Sequence, residues 1–167
     1  MNDRFKQLYD EIIGPPQPSY ERLQAVIGDL RGMGDISDEL LEALKEQFER
    51  KNWGVLFRLL AIIYYFPNKE YTPVLCEMLD NHRDKEIAEH VVDILDVLED
   101  ERSIPCLIRS LEYYQPGDDD RYLNRKIIYA LSRIGTREAI DGIRAASNSN
   151  DENIRITAMD ELCKTKT

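Results

Sequence analysis

Two histidines, three cysteines and a run of three aspartates are the side chains of this 167-residue chain whose types could support metal or nucleophilic chemistry. Neither His82 nor His90 stands near a cysteine at ligand spacing. Cys76, Cys106 and Cys163 are odd in number, widely separated and free of any Cys-x-x-Cys pair, so neither a zinc site nor a disulfide framework is expected and the thiols read as reduced. Cys106 and Cys163 fall at helical core positions, which predicts buried, inert sulfur. Asp118, Asp119 and Asp120 offer oxygen ligands but lack the alternating spacing and the distant glutamate of a calcium loop; they read instead as a helix N-terminal cap. There is no glycine-rich phosphate loop, and no serine or cysteine has a recognisable base and orienting group. The expectation is a protein without catalytic residues, metal or cofactor.

What remains is a charged surface. Counting 22 basic against 32 acidic residues gives −10, and the distribution is uneven: residues 1–68 carry −3, residues 69–120 carry −10 and residues 121–167 carry +3. A phosphate backbone binds through clustered Lys and Arg, so the acidic middle argues against DNA or RNA, whereas it would speed the approach of a basic protein. Within it, Glu89, Asp93, Asp96 and Asp100 are spaced four, three and four, which aligns them as one acidic stripe on a helix. Like charges at that spacing cost a few tenths of a kcal/mol per pair, an expense that a basic partner would offset. Tyr122, Lys126, Tyr129 and Arg133 follow at the same spacing further on and add aromatic and basic groups of the kind that anchor interfaces. These eight residues are the candidate partner-binding set. Tyr113, Tyr114, Trp53 and Phe57 read as packing residues.

Helices must position this set, because apolar residues recur at helical spacing almost throughout and no convincing period-2 run interrupts them. About ten helices fit. Phe5, Leu8, Tyr9 and Ile12 line the first, near residues 2–13, before Gly14-Pro15-Pro16 stops it. Ser19 is expected to cap a second helix that uses Leu23, Val26, Ile27 and Leu30, and Ser37 a third through Leu40, Leu41, Leu44 and Phe48. Asn52 opens a fourth, where Val55, Leu56, Leu59, Leu60, Ile62, Ile63 and Phe66 wrap nearly all round, as in a helix buried between neighbours. The uncharged stretch Leu59 to Asn68 is far shorter than the roughly 20 residues of a membrane span, and the charged amino terminus is unlike a signal peptide. The expectation is a cytoplasmic protein.

From Tyr71 the chain repeats itself. Tyr71-Thr72-Pro73-Val74-Leu75 is followed by a partner helix from Glu86 to Leu95. Ser103-Ile104-Pro105-Cys106-Leu107 is followed by Leu123 to Leu131 and Ile134-Gly135. Ala139-Ile140-Asp141-Gly142-Ile143 is followed by Asn153 to Leu162. Pro73 and Pro105 are 32 residues apart, Pro105 and Asp141 are 36, and an insertion at Gln115 to Asp118 accounts for the difference. Residues 37–50 and 53–66 form a degenerate earlier copy. The pattern Ile-Pro-x-Leu-Ile with Ile-Arg-x-x-Ala-x-x-x-Leu resembles the HEAT-like repeats named after the phycobilin lyases, over about residues 70–165.

The resemblance implies an all-α fold, a short right-handed α-solenoid of HEAT-like helix pairs in one domain spanning 1–167. Residues 1–36 would be capping helices and 37–167 about four repeats, since a single pair is too small to bury its own apolar face. In such stacks the second helix of each pair lines the concave side, where the acidic stripe would then lie. Asn124, Tyr129 and Glu161 depart from the family's usual residues. The resemblance also implies that Arg155 bridges to an aspartate, Asp141 or Asp151. The His-Glu pairs of HEAT-like hydroxylases and the basic groove of solenoid DNA glycosylases are absent here. The functional expectation is a non-enzymatic protein-protein interaction module that binds a basic protein partner on an acidic concave face, in its most specific form an immunity or antitoxin-like inhibitor. The alternatives are a phycobilin-lyase-like, tetrapyrrole-handling subunit and an assembly scaffold. Oligomeric state stays open.

Overall fold

A computed structural model describes residues 3–14, 19–81, 84–113 and 121–164, and among them the chain is all-α: ten α-helices, two single turns of 3-10 helix and no strand. The Asp118–Asp120 cap, the insertion from Gln115, Tyr114 and His82 lie outside the described residues. The chain divides into two compact units, 1–68 and 69–167.

The first unit is built from α1 (Asp3–Ile13), α2 (Tyr20–Arg31), α3 (Ser37–Glu49) and α4 (Trp53–Ile63). Phe5, Leu8, Tyr9 and Ile12 are the buried face of α1, which packs on α2 and α4. Ser19 caps α2 by accepting from the Arg22 N–H at 3.3 Å. Ser37 does not cap α3: it is the first helical residue, and Asp35 accepts its N–H at 3.0 Å, because the residue before the helix is Ile36, which has no acceptor side chain. Buried Gln47 donates to the Tyr9 hydroxyl at 2.7 Å and accepts from Asn52 at 3.1 Å, so its amide is satisfied inside the unit. Arg58 donates to the carbonyl of Ile12 at 2.7 Å, meeting one of the orphan acceptors at the end of α1. The helix α4 is buried on most of its surface, as its all-round apolar pattern requires.

The second unit repeats one design three times: α5 (Thr72–Asn81) with α6 (Lys85–Leu98), α7 (Ile104–Tyr113) with α8 (Arg121–Ile134), and α9 (Arg137–Ala146) with α10 (Glu152–Lys164). First helices pack on first helices and second on second, giving an α5/α7/α9 layer against an α6/α8/α10 layer. A 3-10 turn introduces each of the first two copies, at Lys69–Tyr71 and Glu101–Ser103. Pro73 and Pro105 then occupy the second helical position, where a missing N–H costs nothing because that donor has no partner within the helix. Asp84, Thr136 and Asp151 cap α6, α9 and α10 by accepting from Ile87, Ala139 and Ile154. Gly142 sits where a Cβ would lie 2.8 Å from the Ile108 side chain, so glycine lets α9 approach α7 closely.

Two expectations fail at the joint between the first two copies. Asp100 is not the last residue of an exposed stripe. The helix α6 ends at Leu98, two residues earlier; Glu99 then adopts a left-handed conformation (φ 46°), and the chain turns Asp100 inward to 5% exposure. Its carboxylate accepts from Thr72 Oγ1 at 2.8 Å, from Arg102 Nε at 2.9 Å and from the Arg102 N–H at 3.0 Å, while Arg102 also donates to the Lys69 carbonyl at 2.6 Å. Cys76 and Cys106 are also not free thiols: they form a disulfide between α5 and α7 with Cα atoms 5.5 Å apart, because the repeat stacks these first helices side by side. Cys163 is the free cysteine among the described residues, and it is exposed rather than in the core.

Each feature has a measurable consequence. Reducing the disulfide, or replacing Cys76 with serine, removes a crosslink over a sequence separation of 30, and stability to urea falls by about 2–4 kcal/mol; an unchanged midpoint with and without reductant excludes the crosslink. For Asp100, burial raises the carboxyl pKa, but the hydrogen bonds from Arg102 and Thr72 outweigh it and hold the value below the ordinary aspartate range. A depressed folded pKa contributes stability that is complete above the unfolded value, about 3.9, and is lost as pH falls through the folded value. Asp100→Asn should therefore destabilise at neutral pH by about 1–3 kcal/mol and lose less further stability on acidification than the parent. Equal acid sensitivity of the two proteins would remove the carboxylate from this role.

Candidate protein interface

The residues expected to contact a partner come from α6 and α8, which lie side by side in the second-helix layer. Lys85 and Arg121 open these helices, so positions 36 residues apart are structurally equivalent. That offset brings Lys126 beside the level of Glu89 and Asp93, and Arg133 beside Asp96. Lys126 Nζ lies 2.8 Å from Asp93 Oδ2 and 3.6 Å from Glu89 Oε2, and Arg133 Nε lies 3.2 Å from Asp96 Oδ1. The stripe is therefore bridged from within. Three of its carboxylates face two cations of the neighbouring helix, and Asp100 has left it for the buried joint.

The electrostatics follow from this pairing. Burial lowers the pKa of the Lys126 ammonium, but the hydrogen bond and charge of Asp93, aided by Glu89, more than reverse that, and the group stands above the ordinary lysine value. Asp96 moves the other way from a normal carboxylate. Burial raises its pKa, Arg133 opposes the rise, and the charges of Asp93 and Glu99 add to it. Lys126 also lies 4.8 Å from the centre of the Tyr122 ring, a cation-π contact, and Arg125 donates to the Tyr129 hydroxyl at 3.3 Å. Beyond Tyr129 a polar cleft of about 230 Å³ opens between α8 and α10, lined among others by Arg125, Asn153, Ile156, Asp160 and Lys164.

Seven of the eight expected residues thus share one face, with Asp100 the exception. The departures at Asn124 and Glu161 are buried: Asn124 lies in the core, and Glu161 accepts from Ser132 at 2.8 Å and pairs with Lys164. Burial raises the Glu161 pKa, but Lys164 and Ser132 prevail and lower it. Arg155 pairs with neither Asp141 nor Asp151. It donates to the Ser149 carbonyl at 2.9 Å, while Asp141 pairs with Arg144 inside α9 and Asp151 caps α10.

Sequence reasoning named Tyr122 and Tyr129 for this face but missed its aliphatic part, Val97, Ile156 and Met159. Val97, Tyr122, Tyr129, Ile156 and Met159 are 37%, 59%, 39%, 48% and 53% exposed, and all five lie on α6, α8 or α10. The signal was present: Ile156 and Met159 fall off the buried side of α10, whose buried residues are Ile154, Thr157, Ala158 and Glu161. Among the described residues no group of three or more His, Cys, Asp or Glu side chains could hold a metal ion, and no helix is long and apolar enough to cross a membrane.

The fold and this face define an all-helical protein whose second unit stacks helix pairs in two layers, one of them carrying a mixed aromatic and charged surface. The chain matches no protein-family model, no curated protein and no solved structure.

The ion-pair ladder can be tested by a double-mutant cycle on stability with Lys126→Met and Asp93→Asn. The coupling should be about 0.5–1 kcal/mol in dilute buffer and should shrink at high salt, since both side chains keep contact with solvent. A coupling of zero would mean that the two charges sit together without holding the helices.

Proposed function

We propose that this chain is a non-catalytic protein-binding module whose contact surface is the outer side of the α6/α8/α10 layer. One observation carries the reading: all the exposed large hydrophobic side chains described in the second unit lie on that layer, and none on α5, α7 or α9. Scattered apolar residues on a surface need no explanation, but their confinement to one of two otherwise similar layers does. Tyrosines flanked by charged groups suit this role, since a rigid ring contributes area at small entropic cost and its hydroxyl keeps a polar partner. The resemblance to HEAT-like repeats supports it as well, because stacked pairs present equivalent helices on a common side.

The partner in this reading is a protein that brings basic groups to the α6 edge, where Glu86 and Glu89 lie outside the closest ion pairs. Internal pairing with Lys126 and Arg133 lowers the attraction the stripe alone would exert, so the tyrosines contribute most of the binding free energy and the acids chiefly the approach and orientation. An inhibitor of a basic enzyme is the most specific form of the proposal.

The experiment compares the parent protein with Tyr122→Ala/Tyr129→Ala, both immobilised and exposed to native lysate, with bound proteins released by a salt gradient. Both side chains are exposed, so the variant should keep its helical circular dichroism. The expected result is one protein retained by the parent through salt-sensitive contacts and at least about tenfold less by the variant, in line with aromatic anchors worth more than about 1 kcal/mol each. Equal retention by both would remove the face from the function.

A further inference from the structure

The charged face is antisymmetric. Its α6 half carries Glu86, Glu89, Asp93 and Asp96, and its α8 half carries Arg125, Lys126 and Arg133. The pairs Lys126–Asp93 and Arg133–Asp96 advance together along the two helices, so α6 and α8 run in the same direction with equivalent residues level. A surface that is acidic on one side of a line and basic on the other is complementary to itself after a half-turn about that line.

We propose that the basic groups meeting the α6 edge come from the α8 half of a second copy of this chain, joined about a two-fold axis that runs along the helices between α6 and α8. The inference rests on the α6/α8/α10 layer being a binding surface and names its occupant. The half-turn sets α6 of each copy over α8 of the other at the same level. Glu89 then faces Arg125 of the second copy, Glu86 faces its Tyr122, Asp93 its Tyr129, and Val97 its Arg133.

Three observations favour this occupant. Arg125 is exposed and hydrogen-bonds a phenol, the Tyr129 hydroxyl, which leaves its charge suited to a carboxylate from outside. Lys126 is already held 2.8 Å from Asp93 and is more distant, at 3.6 Å, from Glu89, so Glu89 can turn to a new cation without dissolving the ladder. The exposed rings of Tyr122 and Tyr129 and the side chain of Val97 lie on these same two helices, close to the axis, where apolar anchors contribute most.

The test is a charge exchange followed by sedimentation equilibrium over a concentration series at low and high salt. The parent should form a dimer that dissociates as salt rises. Glu89→Arg and Arg125→Glu, prepared separately, each place like charges at both symmetric contacts and should raise the dimer dissociation constant at least about tenfold. Mixed in equal amounts, they restore opposite charges at both contacts and should recover the dimer. Circular dichroism and the thermal midpoint show that each variant is folded. A parent that stays monomeric throughout overturns the proposal, as does a dimer that ignores either single exchange or a mixture of folded variants that fails to recover it. A monomeric parent that still retains another protein in a Tyr122- and Tyr129-dependent way overturns the second copy alone; a monomeric parent with no such retention overturns the binding face as well.

Discussion

The carboxylate of Asp100 can be buried only if two consecutive copies of the repeat stand in register. Its donors come from both, Thr72 from the first and Arg102 from the second, and Arg102 reaches back to the Lys69 carbonyl at the start of the first copy. A buried carboxylate missing any of these donors would carry a desolvation penalty of several kcal/mol. The joint therefore works as a gauge: a shift of α7 along α5 breaks several charge-assisted hydrogen bonds at once. The same register makes α6 level with α8, on which the pairing of Lys126 with Asp93 and of Arg133 with Asp96 depends.

The two layers of the second unit divide the work. The α5/α7/α9 layer carries the constraints: the disulfide, the close approach at Gly142 and the pair of Arg109 with Asp80. The α6/α8/α10 layer carries the exposed aromatic and aliphatic side chains and a cross-helix set of charges. The helices α6, α8 and α10 also pack closely on one another, and Tyr122, Tyr129, Ile156 and Met159 lie off that packed side.

Helix number, helix order and most of the core were legible because they follow from a 3.6-residue period that tertiary contacts reinforce. What was not legible depends on single backbone angles or on contacts between distant segments. The spacing of four from Asp96 placed Asp100 on the stripe, and no stop signal contradicted it, since Glu99 takes the left-handed position that Gly135 fills in the next copy. Cys76 lies three residues after Pro73 and Cys106 one residue after Pro105, so the repeat alignment does not superimpose them, although adjacent helices bring them together. The acids of the stripe and the bases of α8 were each visible, but their mutual pairing appears only when positions 36 residues apart are read as neighbours.

The bond between Cys76 and Cys106 also divides the chain mechanically. If tension is applied to the two ends, the path of force enters α5, crosses the sulfurs and leaves through α7, bypassing all of α6 and the Asp100 turn. The bypassed segment could not be drawn out, which withholds about 100 Å of contour length at about 3.4 Å per residue. Half of the α6/α8 face would thus lie in a part of the polypeptide that a pulling machine, such as an unfoldase, could not thread as a single strand until the sulfurs were separated.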